Sequence, residues 1–315
     1  MLYLDGPRVR ELLTMKDCIR VMRELFLLPQ EGIDNPLRSL MMLPDRRGLL
    51  GMMPAHIGSW GVMGIKVLTV FPKNYLKGLS SHIGIVHLFD DQDGQLLLSL
   101  DADAVTAIRT AAVSAVMTEC LSREDSSVLA LLGSGVQAHT HLDAICCVRK
   151  IRQVRVWSPN PERVKGFIAE ASSEYDLEFA ACATPEHAVE HADIICAATA
   201  ASDPFLHLES IEPHAHINAI GACTPRQREL HTEVVRAAEV FVDDHIGASH
   251  EAGDILLALE EGEMYADIVR GDIHQVLTHQ PAGARERLTL FKSVGVAIED
   301  LAVARHLHGL IQLGL

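Results

Sequence analysis

The chain has 315 residues, about half of them hydrophobic, and a formal charge of −15 with no basic run. That length allows two modest domains with substantial cores, and the acidic balance argues against a nucleic-acid partner, which would be met by a basic face. No stretch approaches the ~18 consecutive apolar residues of a membrane span, and the start, MLYLDGPRVR, does not read as a signal peptide. Seven cysteines without a CxxC pair suit reduced thiols, so a cytoplasmic protein is expected, with no membrane partner.

Residues 1–28 end in a helical pattern, with Val21, Met22, Leu25, Phe26 and Leu28 recurring on one face. From 37 to 100 the pattern changes to short apolar runs (Leu49–Met53, Val62–Phe71, Ile83–Phe89, Gln95–Leu100) broken by Gly, Pro and Asp clusters. Asp90-Asp91-Gln92-Asp93-Gly94 lies between two of these runs as a hairpin signal, and the region reads as an antiparallel sheet. Asp101 to Leu121 is helical and rich in Ala, with Asp101 as its N-cap.

Strands and helices then alternate. Ser127–Leu132 is a strand, followed by a helix to about Val148, a strand at Val154–Trp157 and a helix near Glu162–Ser172. Further strands fit Leu177–Ala181, Asp193–Ala197, His216–Ile220 and Val240–Val242, and Thr289–Leu310 reads as a strand entering a helix. Alternation of this kind predicts a parallel, doubly wound α/β sheet. The predicted division is a first domain of residues 1–118 and 294–315 around an inserted second domain, 119–293.

Between the first strand of the second domain and its helix lies Gly133-Ser134-Gly135-Val136-Gln137-Ala138, a GxGxxA turn. Gly133 permits the tight turn, Gly135 lets backbone approach a pyrophosphate, and Ala138 lets the helix lie close to the sheet. Strand and helix both flank the motif, so it is read as the dinucleotide loop of a Rossmann domain rather than as a plain glycine turn. The next strand ends at Trp157-Ser158-Pro159-Asn160, without the acid that usually grips the adenine ribose of NAD. Ser158 suits a hydroxyl or a phosphate. Arg163 reaches a 2′-phosphate or is simply a solvated helix residue. The cofactor is therefore NAD(P)H, with the form open and a slight lean to NADP.

Three cations sit where cations are expensive. Lys66 lies in the apolar strand Val62–Val70, where a lysine either snorkels from an edge or meets an anion. Arg109 stands on a helix of small apolar residues, and its fork suits bidentate capture of a carboxylate. Arg38 follows Asn35-Pro36-Leu37. Structural ion pairs are the competing reading for each.

Pro36-Leu37-Arg38, Gly51-Met52-Met53-Pro54, Gly64-Ile65-Lys66, Pro72-Lys73-Asn74 and Arg109-Thr110-Ala111-Ala112 together resemble the ornithine cyclodeaminase/μ-crystallin family. So do the glycine loop, Asn218-Ala219-Ile220-Gly221-Ala222, Glu251-Ala252-Gly253-Asp254, and the run from Thr289 to Gly295, in family order across nearly the whole chain. The resemblance implies an NAD(P)-dependent enzyme of amino acids or imines that dimerises through its N-terminal sheet domain. It places Arg38, Lys66 and Arg109 at a substrate carboxylate, Gln137, Cys223, Gln227 and Ser293 on the nicotinamide side, and Thr199 near the pyrophosphate. Where the cyclodeaminases of the family carry a catalytic Asp, this chain has Cys223, within Gly221-Ala222-Cys223-Thr224-Pro225, and Gln227 replaces a neighbouring Lys. A thiol is mostly neutral at pH 7 and hydrogen-bonds weakly.

The resulting expectation is a reductase of a cyclic or linear imine carboxylate, or an amino-acid dehydrogenase running in reverse. Arg38 and Arg109 would clamp the carboxylate, Lys66 would donate a proton, and Met53, Tyr75 and His82 would line the side-chain pocket. An ornithine cyclodeaminase and a non-catalytic, crystallin-like NAD(P)-binding protein are the alternatives. No metal is expected: His139/His141 and His214/His216 lack a third ligand. Glu260–Glu263 reads as a solvated helix end, Cys146-Cys147 as helix packing, and Asp300 as a complement to a helix dipole.

Overall fold

The computed structural model describes residues 2–314, the side chain of Tyr75 excepted. Two compact units form, one from residues 1–109 and 296–315, the other from 110–295. The sequence reading divides the chain at 118/119 and 293/294; the compact units divide inside the long helix α3 (Ala102–Leu121) and after Gly295. A helix that runs unbroken past such a point carries no composition signal of it.

In the first unit, β1 (Tyr3–Leu4), β2 (Ile33–Asp34), β3 (Ser39–Met42), β4 (Leu49–Ile57), β5 (Val62–Val70), β6 (His82–Asp90) and β7 (Leu96–Asp101) make one sheet. Its order is β1-β7-β6-β5-β4-β2, with β3 also on β4. The sheet is antiparallel as expected except at one edge, where β1 pairs with β7 in parallel, so it is mixed. Two residues of β1 are too few to show a strand period, which is why the sequence read only the helical pattern there. The strands β4 and β6 run longer than their apolar runs, since His56, His82 and Asp90 remain in register, while β5 ends at Val70, one residue short of the run Val62–Phe71.

One face of this sheet carries Gly64 and Lys66 and is covered by the C-terminal helix, Ala297–Gln312, whose Leu301 would touch a Cβ placed at Gly64. On the same unit Leu37, Leu40, Met41, Met42 and Met63 remain exposed.

The second unit is built on an eight-stranded sheet, every pair parallel. Its strands are β8 (Val128–Leu132), β9 (Gln153–Trp157), β10 (Glu178–Ala181), β11 (Ile194–Ala197), β12 (His216–Ala219), β13 (Glu239–Val242), β14 (Val269–Asp272) and β15 (Thr289–Lys292). The order β10-β9-β8-β11-β12-β15-β13-β14 reverses between β8 and β11, the switch point of a doubly wound sheet. β14, with Arg270 and Asp272 in four residues, has no apolar run and escaped the sequence reading.

α3 is long and apolar enough to cross a membrane by composition, but 89% of its most apolar window is buried in the protein. Its start is capped as expected, the Asp101 carboxylate accepting from the Ala104 amide at 2.8 Å. Beyond its end, the buried Arg149 guanidinium donates to the carbonyls of Thr118, Glu119, Ser122 and Arg123 at 2.8–3.1 Å. Glu119 is among the carbonyls a helix leaves without intrahelical partners, Thr118 already accepts the Ser122 amide, and a cation at this end also suits the helix dipole. Arg149→Met would keep the apolar stem and strip the donors. We expect a loss of about 3 kcal/mol in urea unfolding; a loss under about 1 kcal/mol would show that water serves these carbonyls equally well.

Candidate active site

Lys66 is on β5, between β4 and β6, so snorkelling from a sheet edge is not available to it. Its neighbours in register are Met53 on β4 and Val86 on β6, both buried. The amine is 3% exposed and donates to Thr106 Oγ1 at 2.6 Å and to both oxygens of Asp300 at 3.2 Å. Arg109, also 3% exposed, donates through Nη1 to Glu299 at 2.5 Å and through Nε to Asp300 at 3.2 Å. Burial pushes the Lys66 amine down to about 8, the charges of Arg109 and Arg38 push the same way, and the Asp300 carboxylate opposes them. Loss of water thus outweighs the ion pair, as buried pairs commonly show.

Arg38, half-buried just before β3, therefore acts on Lys66 through its charge. Lys66, Arg109, Glu299 and Asp300 are a single buried cluster of two cations and two carboxylates. The sequence reading weighed the cations and missed their partners. Glu299 and Asp300 occupy the first turn of the last helix, where acids are also ordinary solvated residues, so residue type alone carried no signal. His82 is exposed at the start of β6. The Tyr75 side chain lies outside the described residues.

In the second unit the glycine turn joins β8 to α4 (Val136–Val148). Gly133 has φ +128°, and a Cβ there would sit 2.5 Å from the Ala198 carbonyl oxygen, so only glycine fits. Gly135 is the N-cap of α4, no side chain caps that end, and the space above its Cα is open. A helix start with unclaimed amides and a bare approach is the cradle a pyrophosphate needs, so these residues fit a dinucleotide. Ser134 is half-buried, Val136 is 59% exposed, and the Oε1 atom of Gln137 is buried with no hydrogen-bond partner. At the tip of β9, Ser158 is half-buried beside Asn160, which caps α5 (Pro161–Glu174). Arg163 is exposed on the first turn of α5, without an ion-pair partner among the described residues.

Three further sites gather at the carboxyl ends of β11, β12 and β15. Thr199 turns its hydroxyl inward, donating to Glu229 Oε1 at 2.7 Å and accepting from the Ala201 amide at 3.2 Å. Its amide donates to the same Glu229 oxygen at 2.7 Å, so both donors of Thr199 are engaged within the protein. Cys223 is exposed, while Gln227 is half-buried, its Oε1 accepting from Thr224 Oγ1 at 2.7 Å. Ser293 donates to Asp243 Oδ2 at 2.9 Å, and the same oxygen takes the amides of Val294 and Gly295 at 2.7 Å.

Each of the four histidines has a neighbour among the described residues, although His216 Nε2 is buried without a hydrogen-bond partner there. His141 is buried between the Gln137 carbonyl at 2.7 Å and Ser114 Oγ at 2.9 Å, and His139 packs against Phe167 with the rings tilted by 43°. His216 bonds Thr289, and His214 lies 3.5 Å from Asp193. No group of three metal-ligating side chains occurs among the described residues. The acids Glu261 and Glu263 are tied to Arg228 and Arg236 rather than simply solvated.

Comparison with known proteins gives a consistent picture. The family model described as "Ornithine cyclodeaminase/mu-crystallin family" matches residues 3–312. Ketimine reductase mu-crystallin of Mus musculus is 35% identical over 277 residues, 88% of this chain and 85% of the relative. The structure of Thermococcus litoralis Delta(1)-pyrroline-2-carboxylate reductase in complex with NADH and L-proline is 32% identical, with a TM-score of 0.95, and covers 100% of this chain and 99% of that one. An archaeal alanine dehydrogenase dimer with bound NAD is 28% identical, with a TM-score of 0.91, and covers 99% and 97%.

The Lys66 geometry yields a stability test. A lysine whose proton affinity is lowered on folding, here from 10.5 to about 8, opposes folding while it is charged. Between those pH values the unfolded chain binds the extra proton, so stability rises with pH through the window, by about 3 kcal/mol from this group. Subtracting the unfolding free energy of Lys66→Met from that of the wild type between pH 7.5 and 10.5 should expose this rise. A difference that does not vary with pH would mean Lys66 stays charged throughout.

Proposed function

The chain belongs to the ornithine cyclodeaminase/mu-crystallin family, and on that premise we propose that it reduces a small imine carboxylate to the α-amino acid with NAD(P)H, or runs the reverse dehydrogenation. A cyclic imine giving a proline- or pipecolate-like product is the first choice, in keeping with the ketimine and pyrroline carboxylate reductases it resembles. The observation that carries this reading is Lys66: an amine held near its ionisation point inside a sheet, with Thr106 and Asp300 fixing its direction.

Arg38 and Arg109 would bind the substrate carboxylate. Arg109 would do so from a guanidinium already anchored by Glu299 and Asp300, so that little side-chain freedom is lost on binding. The Lys66 ammonium gives its proton to the imine nitrogen, and the neutral amine is recharged from solvent. When bound, the reduced nicotinamide supplies the hydride that the imine carbon receives. Gly133–Gln137 would hold the pyrophosphate, with Gln137, Cys223, Gln227 and Ser293 towards the nicotinamide. Met53 beside Lys66 would border the substrate.

The lean to NADPH rests on the tip of β9: no acid stands there to refuse a 2′-phosphate, and Ser158 and the exposed Arg163 suit one. The cyclodeaminase alternative asks for a carboxylate where Cys223 stands exposed. A non-catalytic binding role would leave the Lys66 cluster without use. A cytoplasmic homodimer completes the proposal, its contact being the sheet face that carries the exposed Met41 of β3 and Met63 of β5.

Two measurements test it. Oxidation of NADH or NADPH followed at 340 nm with cyclic imine carboxylates should show turnover, without ammonia release from ornithine and NAD. Turnover in the reductive direction should fall above about pH 8, where Lys66 loses its proton, and rise in the oxidative direction. Lys66→Met should lower turnover at least about 100-fold with NAD(P)H binding retained; unchanged turnover would remove Lys66 from the mechanism. In sedimentation, the wild type should run as a dimer and Met41→Asp as a monomer. A wild-type monomer would sink the interface.

A further inference from the structure

Glu229, Asp254 and Lys292 form a trio in the second unit, each no more than 1% exposed. Asp254 Oδ1 takes the amides of Glu229 and Leu230 at 2.8 and 3.0 Å, and its other oxygen lies 2.9 Å from the Lys292 amine. The Glu229 carboxylate accepts from the amide and hydroxyl of Thr199, both at 2.7 Å, and from the amide of Gly221 at 2.9 Å. It therefore joins the segments that follow β11 and β12, while Lys292 is the last residue of β15.

These strand ends have a defined place in a doubly wound sheet. The order reverses between β8 and β11, and the glycine turn after β8 marks the phosphates. The adenosine half of a dinucleotide then lies towards β9, and its nicotinamide half towards β11, β12 and β15. The trio lies under the second half. Fully ionised, it holds two carboxylates against one ammonium, and a charge in such a dry place is poorly screened. An oxidised nicotinamide ring is positively charged and a reduced one is neutral.

We propose that Glu229 biases the redox state of the bound cofactor, its buried carboxylate favouring oxidised over reduced nicotinamide. The proposal rests on the cofactor reading above. The groups facing Glu229 are Asp254 from the helix Gly253–Glu260, Lys292 from β15, and the Thr199 and Gly221 donors; Cys223 lies on the same loop. The Arg228 guanidinium is directed instead to Thr232 and Glu261. Burial and the Asp254 charge raise the Glu229 carboxyl to about 7, against Lys292 and the Thr199 bonds. Protonation near neutral pH would thus remove the bias, and ionisation would restore it.

The test is the dissociation constant of NAD+ and of NADH for the intact protein by calorimetry from pH 6 to 8. A carboxylate that only shapes the loop would move both constants together, whereas a charge moves their ratio. Kd(NAD+)/Kd(NADH) should fall about fivefold with rising pH in the wild type and stay flat in Glu229→Gln. The slope should persist in Lys66→Met, which removes another buried group whose proton affinity lies near this range. Thr199→Val, which takes one hydrogen bond from the carboxylate, should move the midpoint to higher pH, and serves if Glu229→Gln does not fold. A flat wild-type ratio, an equal slope in Glu229→Gln or an unmoved midpoint in Thr199→Val overturns the proposal while leaving cofactor binding intact. Where NAD+ and NADH do not bind, the same ratio is taken with NADP+ and NADPH; failure of both pairs to bind would instead overturn the cofactor reading itself.

Discussion

The first unit depends on one carboxylate, Asp300, placed against two buried cations. Lys66 and Arg109 could not remain inside an apolar sheet and helix alone, because removing one partner of a buried pair costs about 3–5 kcal/mol. Asp300 meets both, and Glu299 completes the set from the preceding position. Both acids stand in the first turn of the C-terminal helix, where the helix dipole favours negative charge. That helix is consequently more than a cover for the sheet. It holds the counter-charges that let Lys66 stay near its ionisation point, balanced between desolvation and attraction.

The second unit uses the same device for a different purpose. Its buried acids bind backbone amides as well as side chains: Glu229 and Asp254 gather the segments beyond β11, β12 and β15, and Asp243 holds Ser293, Val294 and Gly295 on one oxygen. Carboxylates that take several amide donors fix loop geometry more firmly than apolar packing does, since each bond has a direction. The loops that carry Cys223 and Gln227 are thereby given a rigid base without bulky residues of their own.

Much of this was legible in the sequence, and the reason is local. The glycine turn is confined to six residues with strand and helix on either side, and the long helix announced itself by small residues behind Asp101. Lys66 and Arg109 stood out because their immediate neighbours are apolar. What could not be read was how those charges are balanced. Lys66 and Asp300 are 234 residues apart, and an acid at the start of a helix looks the same whether solvated or buried. Glu229 and Asp243 carry no local signal for the same reason, and Asp254 entered only as part of the motif Glu251-Ala252-Gly253-Asp254. The inward turn of the Thr199 hydroxyl was likewise beyond reach, because it depends on a partner 30 residues away. The short β1 and polar β14 failed on length and composition.

The first unit is assembled from both ends of the chain, and this sets an order on its making. During synthesis the sheet and the start of α3 leave the ribosome early, with Lys66 and Arg109 already in place along them. Their counter-charges come only after some two hundred further residues, in the last segment translated. The inserted unit is continuous in sequence and has its whole sheet available first. A nascent chain halted before residue 296 would therefore hold the whole continuous unit, but its Lys66 and Arg109 would lack the carboxylates of Glu299 and Asp300. The last segment translated is thus the one that closes the first unit, whereas the continuous unit does not wait for it.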